Sequence, residues 1–223
     1  IARAQAYAQG DFSRPYSHWG SRAGVVLPTA AVFKAIGVNY WSPAVVPFVL
    51  SLLTIIVTYF FASYLFDTSV GLLAAFLLAV FPMDVLFASQ LFPYEFLVFF
   101  TTCSLFAFLK GVDEDRIFLI FLAGLCLGLA YLSRITALYS LLFFALYAVW
   151  KREVSLKYLY FLIGLGVVFL GEAIWSYELW GDFLARYDIL LNKVTAGSGM
   201  VWVSFQWLLE PFFSLFFFKF FYI

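Results

Sequence analysis

The chain has 223 residues, of which 65% are hydrophobic, 23% aromatic and only 12% charged, with no formal net charge and a mean hydropathy of +0.99. A water-soluble domain has nowhere to bury that much Phe and Leu, so the composition specifies a polytopic membrane protein built as an all-α transmembrane helix bundle. Zero net charge argues against a nucleic-acid partner, and Cys103 and Cys126 sit in apolar runs as small core residues whose spacing supports no disulfide.

Residues 1–40 are the one long polar stretch. Ala and Gln over 1–9 favour a short helix that Gly10 and Asp11 stop. A loop with Arg14, Tyr16, His18, Trp19 and Arg22 follows, and Pro28 opens a second short helix ending at Gly37. Tyr40 and Trp41 mark a membrane interface. No basic start with a cleavable apolar core is present, so no signal peptide is expected. Spans are expected over about 44–66, 70–89 and 94–109, the first two joined by the short turn Phe66–Ser69. The loop KGVDEDR at 110–116 reads as a solvated connection and nothing more.

Residues 117–150 are nearly uninterrupted apolar sequence, about 50 Å if one straight helix and far longer than a bilayer core needs. Either one long tilted helix or two short spans turning at Leu132–Thr136 satisfies the pattern. Lys110, Arg116, Lys151, Arg152 and Lys157 put basic residues in both flanking loops, so the positive-inside rule favours the hairpin. That places Arg134, the one charge in the run, on the outer side. A span over 158–177 follows, with Gly164, Gly166 and Gly171 permitting close packing and Glu172 one to two turns from its outer end. The expected organisation is one membrane domain: an outer loop with short helices over 1–41, a bundle over 42–177, an amphipathic outer loop over 178–206 and a further span from 207. About seven spans result. The chain opens on Ile and stops inside an aromatic run, so it is expected to be a fragment.

The stretch 81–110 organises the polar chemistry. Asp84 and Glu95 lie in it beside Pro82 and Pro93, where the backbone changes course. Pro93 can start a helix with Glu95 in its first turn, where free N–H groups favour negative charge. A carboxylate at the edge of hydrocarbon costs a few kcal/mol (~2–3) and is rarely idle, although two such groups could simply set helix depth. On this topology Arg14, His18, Arg22, Asp84, Glu95, Arg134, Glu172, Asp182 and Arg186 gather at one face. Such a mixed set suits a substrate with an anionic head and a lipid tail, because guanidinium forks bind phosphate and a carboxylate can hold metal or activate a hydroxyl. For Arg14 and Arg186, snorkelling to lipid phosphates is an equal reading. His18 reads as a solvated loop histidine, and there is no zinc spacing, Gly-rich phosphate loop or Ser/His/Asp set.

Several pieces in order carry a family resemblance: A-x-x-x-A-x-G-D-F around Ala4–Phe12, then Arg22-Ala23-Gly24 with Pro28 and Gly37, and the turn Asp67–Ser69. SQLFPYE at 89–95, GLCLGLAYLSR at 124–134 and ELWGDFLARY at 178–187 complete them. Together they resemble GT-C membrane glycosyltransferases, especially bacterial relatives of dolichyl-phosphate-mannose protein mannosyltransferases and the lipid A aminoarabinose transferase. The resemblance implies transfer of one sugar from a polyprenyl-phosphate carrier to a protein, lipid or glycan acceptor on the outer face of a bacterial or archaeal plasma membrane. It implies phosphate contact by Arg22, where Arg-Ala stands for the frequent Lys-Pro, and a second outer carboxylate near Glu95. Arg134 is assigned to phosphate as well, Glu95 to catalysis through metal or acceptor positioning, and Glu172 with Asp182 to shaping the acceptor side. The family's base in the first outer loop is expected upstream of Ile1, so the fragment alone is expected to be inactive. No cofactor is required by the pattern, and a divalent metal stays open. A lipid-linked oligosaccharide flippase and a non-catalytic scaffold are the alternatives; a flippase should carry charges along a central path, whereas here they collect at one face.

Overall fold

The structure is a computed structural model that describes residues 1–15, 19–151 and 156–189. Among them the chain is all-α: helices α1 to α9, two short 3-10 turns and a helical stretch over 185–189. Helices α1 (Ala2–Ala8) and α2 (Ala23–Ile36) form a small layer at one end of the bundle. Ala4, Tyr7, Val26, Ala30 and Phe33 make its private apolar core. Helix α2 starts at Ala23, not at Pro28, because the Arg22 carbonyl already accepts from Val25 and Val26 N–H. Burial of Val25, Val26, Thr29, Ala30 and Phe33 holds Pro28 inside the helix despite its missing donor. Gly24 is required here. A Cβ on it would stand 2.6 Å from Ser133 Oγ and 2.9 Å from the Leu132 carbonyl carbon, so only Gly lets α2 meet the far end of α7.

A 3-10 turn over Ser42–Ala44 leads into α3 (Val45–Leu65), which with the turn is long and apolar enough to span. Asp67 caps the next helix, α4 (Thr68–Ala79), its Oδ1 accepting from Ser69 N–H and Val70 N–H at 2.7 and 2.9 Å. The expected straight span over 70–89 is corrected: the chain bends by 60° before α5 (Pro82–Ala88). Pro82 in the first turn forces Phe81 into an extended conformation, which ends one helix and starts another. Helix α6 (Tyr94–Asp113) starts directly after Pro93, with Glu95 in its first turn as the pattern predicts.

Helix α7 (Ile117–Ser133) stops where Arg134 adopts an extended conformation, and a 3-10 turn (Ile135–Tyr139) leads into α8 (Ser140–Trp150). Helix α9 (Lys157–Trp180) closes the described bundle. Contacts fix the directions. Gly124 meets Phe161 and Gly128 meets Val168, so α7 and α9 run parallel. The chain between them therefore returns the length of α7, and it does so as α8, with Phe144 against Phe108 and Phe161. The core lies along this triple contact: Phe108, Ile120, Ala123, Leu127, Tyr131, Phe144 and Phe161. Gly124 and Gly164 pack backbone to backbone, each facing a carbonyl of the other helix, Phe161 and Phe121 respectively. The expectation for Gly166 and Gly171 does not hold, since neither has a neighbour where a Cβ would stand.

The span count is also corrected. Among the described residues three helices are long and apolar enough to cross (Ser42–Leu65, Tyr94–Asp113 and Lys157–Trp180), or four if the bent pair α4–α5 is one span. Helix α7 and the stretch Ile135–Trp150 are apolar but shorter, because the break at Arg134 divides them. The further span expected from 207 lies outside the described residues. Outward faces of α3, α4, α8 and α9 expose Phe48, Ile56, Leu73, Phe76, Leu146 and Leu162, as contact with hydrocarbon requires. The loop after α6 is more than a solvated link. Arg116 pairs with Glu114 at 3.0 Å, Lys157 pairs with Asp115, and Tyr64 donates to Asp113 at 2.6 Å, which ties four helices together at that end.

Candidate functional site

The other end of the bundle, under the α1–α2 layer, collects the remaining charges. Arg22 occupies the cap position before α2, Arg134 the break after α7, and Arg186 the segment that follows α9. Three chain reversals thus deliver three guanidiniums to one region. Burial pushes the Arg22 guanidinium down to about 10, and the Arg134 and Arg186 charges add to the shift. Arg22 is still a cation at neutral pH, held in like-charged surroundings. Its guanidinium lies 4.2 Å over the Trp19 ring, and its buried Nη1 has no hydrogen-bond partner among the described residues. Arg134 lies 4.8 Å over the Tyr94 ring.

Arg186 is bound differently. It donates from Nη1 to Glu172 Oε1 at 2.7 Å and from Nη2 to the Tyr131 carbonyl at 3.0 Å, while stacking 4.6 Å over the Tyr131 ring. Side-chain exposures of 5% for Arg186 and 10% for Glu172 overturn the snorkelling reading of Arg186. Tyr131 in turn stacks on Phe169 and shares a 2.6 Å hydroxyl contact with Tyr187. Beside this group is a hollow of about 550 Å³ lined by Tyr131, Phe169, Leu170, Phe183, Glu172 and Arg186 among others.

Glu95 is 2% exposed, and its Oε2 has no partner among the described residues. Its neighbour on α6, Phe96, packs with Val25 from α2 and Leu50 from α3. Asp84 on α5 is within electrostatic reach of Glu95 and is itself held by the Ser51 hydroxyl, which donates at 2.6 Å. Among the described residues no group of three or more His, Cys, Asp or Glu is placed to hold a metal ion.

The structure brings Arg22, Arg134, Glu95 and Glu172 to the same end. It does not bring Asp182 to them. Asp182 pairs with Arg14 at 3.0 Å and accepts from Leu184 N–H at 2.8 Å, which with Arg14 holds its carboxyl below the ordinary value. Arg14 also reaches Asp188 at 3.4 Å, and Trp180 Nε1 donates to the Phe12 carbonyl at 2.8 Å. These contacts strap the N-terminal layer onto the end of α9. His18 lies outside the described residues. Sequence reading gave no role to Tyr94 or Tyr131, although each stands one turn or less from a singled-out charge, Tyr94 beside Glu95 and Tyr131 three before Arg134.

No curated protein and no solved structure matches this chain. The model of one family does, that of dolichyl-phosphate-mannose-protein mannosyltransferase, over residues 25–176. The match takes in Glu95, Arg134 and Glu172 and the whole bundle from α3 to most of α9, while Arg22, Asp182 and Arg186 lie just outside it. Since it covers well over half of the chain, this protein belongs to the dolichyl-phosphate-mannose-protein mannosyltransferase family of GT-C membrane glycosyltransferases.

Proposed function

We propose that the protein transfers a sugar from a polyprenyl-phosphate carrier to a protein, lipid or glycan acceptor, at the non-cytoplasmic face of its membrane. The observation that carries the reading is the convergence of Arg22, Arg134 and Arg186, of which, among the described residues, only Arg186 is paired to a carboxylate. Two cations left over at a partly dry site call for an anionic head, and the aromatic hollow alongside suits an apolar tail.

In such a transfer an acceptor hydroxyl attacks the sugar carbon while the carbon–oxygen bond to phosphate breaks. The electron pair goes to the phosphate, whose charge grows as the bond opens. In this reading Arg22 and Arg134 stabilise that growing charge more than the starting one, which is what lowers a barrier. Glu95 orients the acceptor hydroxyl or accepts its proton. Glu172 fixes Arg186, and Arg186 fixes Tyr131, so this pair shapes the wall rather than meeting phosphate. Asp182 acts through the strap with Arg14. The basic loops at the opposite end, with Lys110, Arg116 and Lys151, suit the cytoplasmic side.

The test is sugar transfer by purified full-length protein from a synthetic polyprenyl-phosphate sugar to membrane or peptide acceptors. Release of polyprenyl phosphate that depends on Arg22 and Glu95 supports the reading. Transport of an intact lipid-linked sugar across vesicles without release would instead favour a flippase.

A further inference from the structure

The two arginines assigned to the carrier phosphate are held in the same way. Arg22 lies over the Trp19 ring and Arg134 over the Tyr94 ring, at 4.2 and 4.8 Å. Among the described residues neither pairs with a carboxylate. Arg186 differs, since Glu172 and the Tyr131 carbonyl each accept an N–H bond from it. The difference has a chemical consequence. A carboxylate partner neutralises a guanidinium and occupies the in-plane N–H groups with which it would grip phosphate. An aromatic face attracts the charge through its quadrupole and leaves those donors for an oxygen ligand.

Tyr94 is itself braced. It is the first residue of α6, directly after Pro93. The Phe87 ring at the end of α5 stacks on it, with centroids 4.6 Å and planes 24° apart. Phe92, in the turn between the two helices, packs against both rings at 5.8 and 6.4 Å. That turn is closed by Phe92 N–H, which donates to the Gln90 carbonyl at 2.8 Å. Phe87 arrives there because the chain bends by 60° before α5, and the Ser51 hydroxyl ties α5 to α3 through Asp84 at 2.6 Å. Arg134 needs such a support. It stands in an extended conformation at the break after α7, and its long side chain must lose rotamer freedom before it can be aimed.

We propose that Tyr94 is a positioning residue for sugar transfer: its ring, braced by Phe87, holds the Arg134 guanidinium toward the carrier phosphate with the N–H donors free. The inference rests on the reading of Arg134 as a phosphate contact. It also gives the bent α5 a role, as the prop behind the ring.

The experiment is a pair of titrations on reconstituted full-length protein, with a synthetic polyprenyl-phosphate sugar as donor and a membrane or peptide acceptor. Tyr94→Leu removes the ring and should raise the half-maximal donor concentration about three- to tenfold, the worth of one cation–π contact. The half-maximal acceptor concentration should stay within about twofold, which a general loosening of the site would not allow. Tyr94→Phe keeps the ring and should restore the wild-type donor curve within about twofold. In an Arg134→Ala background Tyr94→Leu should add less than about twofold, because the two residues act through one contact. If Tyr94→Leu does not fold, Tyr94→Met carries the same comparisons. A wild-type donor curve for Tyr94→Leu, where Arg134→Ala does shift the curve, overturns the inference alone. Equal losses in Tyr94→Phe and Tyr94→Leu overturn it too, since the hydroxyl rather than the ring would then be acting. So does full additivity of Tyr94→Leu with Arg134→Ala. An Arg134→Ala curve superimposable on wild type removes instead the reading of Arg134 as a phosphate contact, and the inference with it.

Discussion

The two ends of the bundle carry similar charge types and treat them in opposite ways. At the end bearing the α6–α7 turn, Lys110, Glu114, Arg116, Asp115 and Lys157 are exposed and pair with one another. At the α1–α2 end Arg14 pairs with Asp182 and Asp188 at the surface, but the inner charges are buried or stacked on aromatic rings, and among the described residues Arg22 and Glu95 keep polar atoms without partners. A solvated, self-paired end needs no ligand, because water and mutual screening satisfy it. An end with open donors and an open carboxylate is stabilised only when something else completes it. The contrast separates a topological end from a chemical end.

The largest expected effect tests the scaffold on which the contrast rests. Gly124→Leu would drive a side chain into the Phe161 carbonyl, where α7 and α9 touch backbone to backbone. It should abolish folded protein, read as loss of the monodisperse peak in detergent. Arg186→Ala comes next. It leaves Glu172 buried without its partner and should cost about 3–5 kcal/mol of stability. The double variant Arg186→Met with Glu172→Leu should recover much of that loss, measured by thermal unfolding. Full stability in the single variant would mean that the pair is not a fixed part of the chemical end.

Glu95→Gln keeps size and fold and should lower sugar transfer by about 100-fold, the usual worth of a positioned acid–base group. Transfer within about twofold of wild type would reduce Glu95 to a depth marker. At the other end, Arg116→Ala should change stability by no more than about 0.5 kcal/mol and leave transfer untouched, because an exposed pair is worth little. A large effect there would erase the distinction between the two ends.

Much of this arrangement was legible in the residues. Hydropathy marks the spans, Pro93 marks the start of α6, and Arg134 marks the reversal between α7 and α8, because a lone charge in a long apolar run is best placed where the chain turns. The gathering of Arg22, Glu95, Arg134 and Glu172 at one end follows from counting crossings. The 60° break at Pro82 and the early start of α2 were not legible, since both depend on what the neighbouring helices bury. Nor was the role of Arg186. Surface snorkelling and a buried pair with Glu172 look identical in sequence, and only the fold of 181–189 back onto α7 separates them.

The central claim is that the open guanidiniums of the chemical end bind the phosphate of the donor, and Arg22 tests it most directly. Donor titrations on reconstituted full-length protein should show the half-maximal donor concentration rising roughly 10- to 150-fold in Arg22→Ala, the worth of one charge-assisted bond. Arg22→Lys should fall between Ala and wild type, because lysine keeps the charge but not the two-point fork. Superimposable curves for Arg22→Ala and wild type would contradict the account.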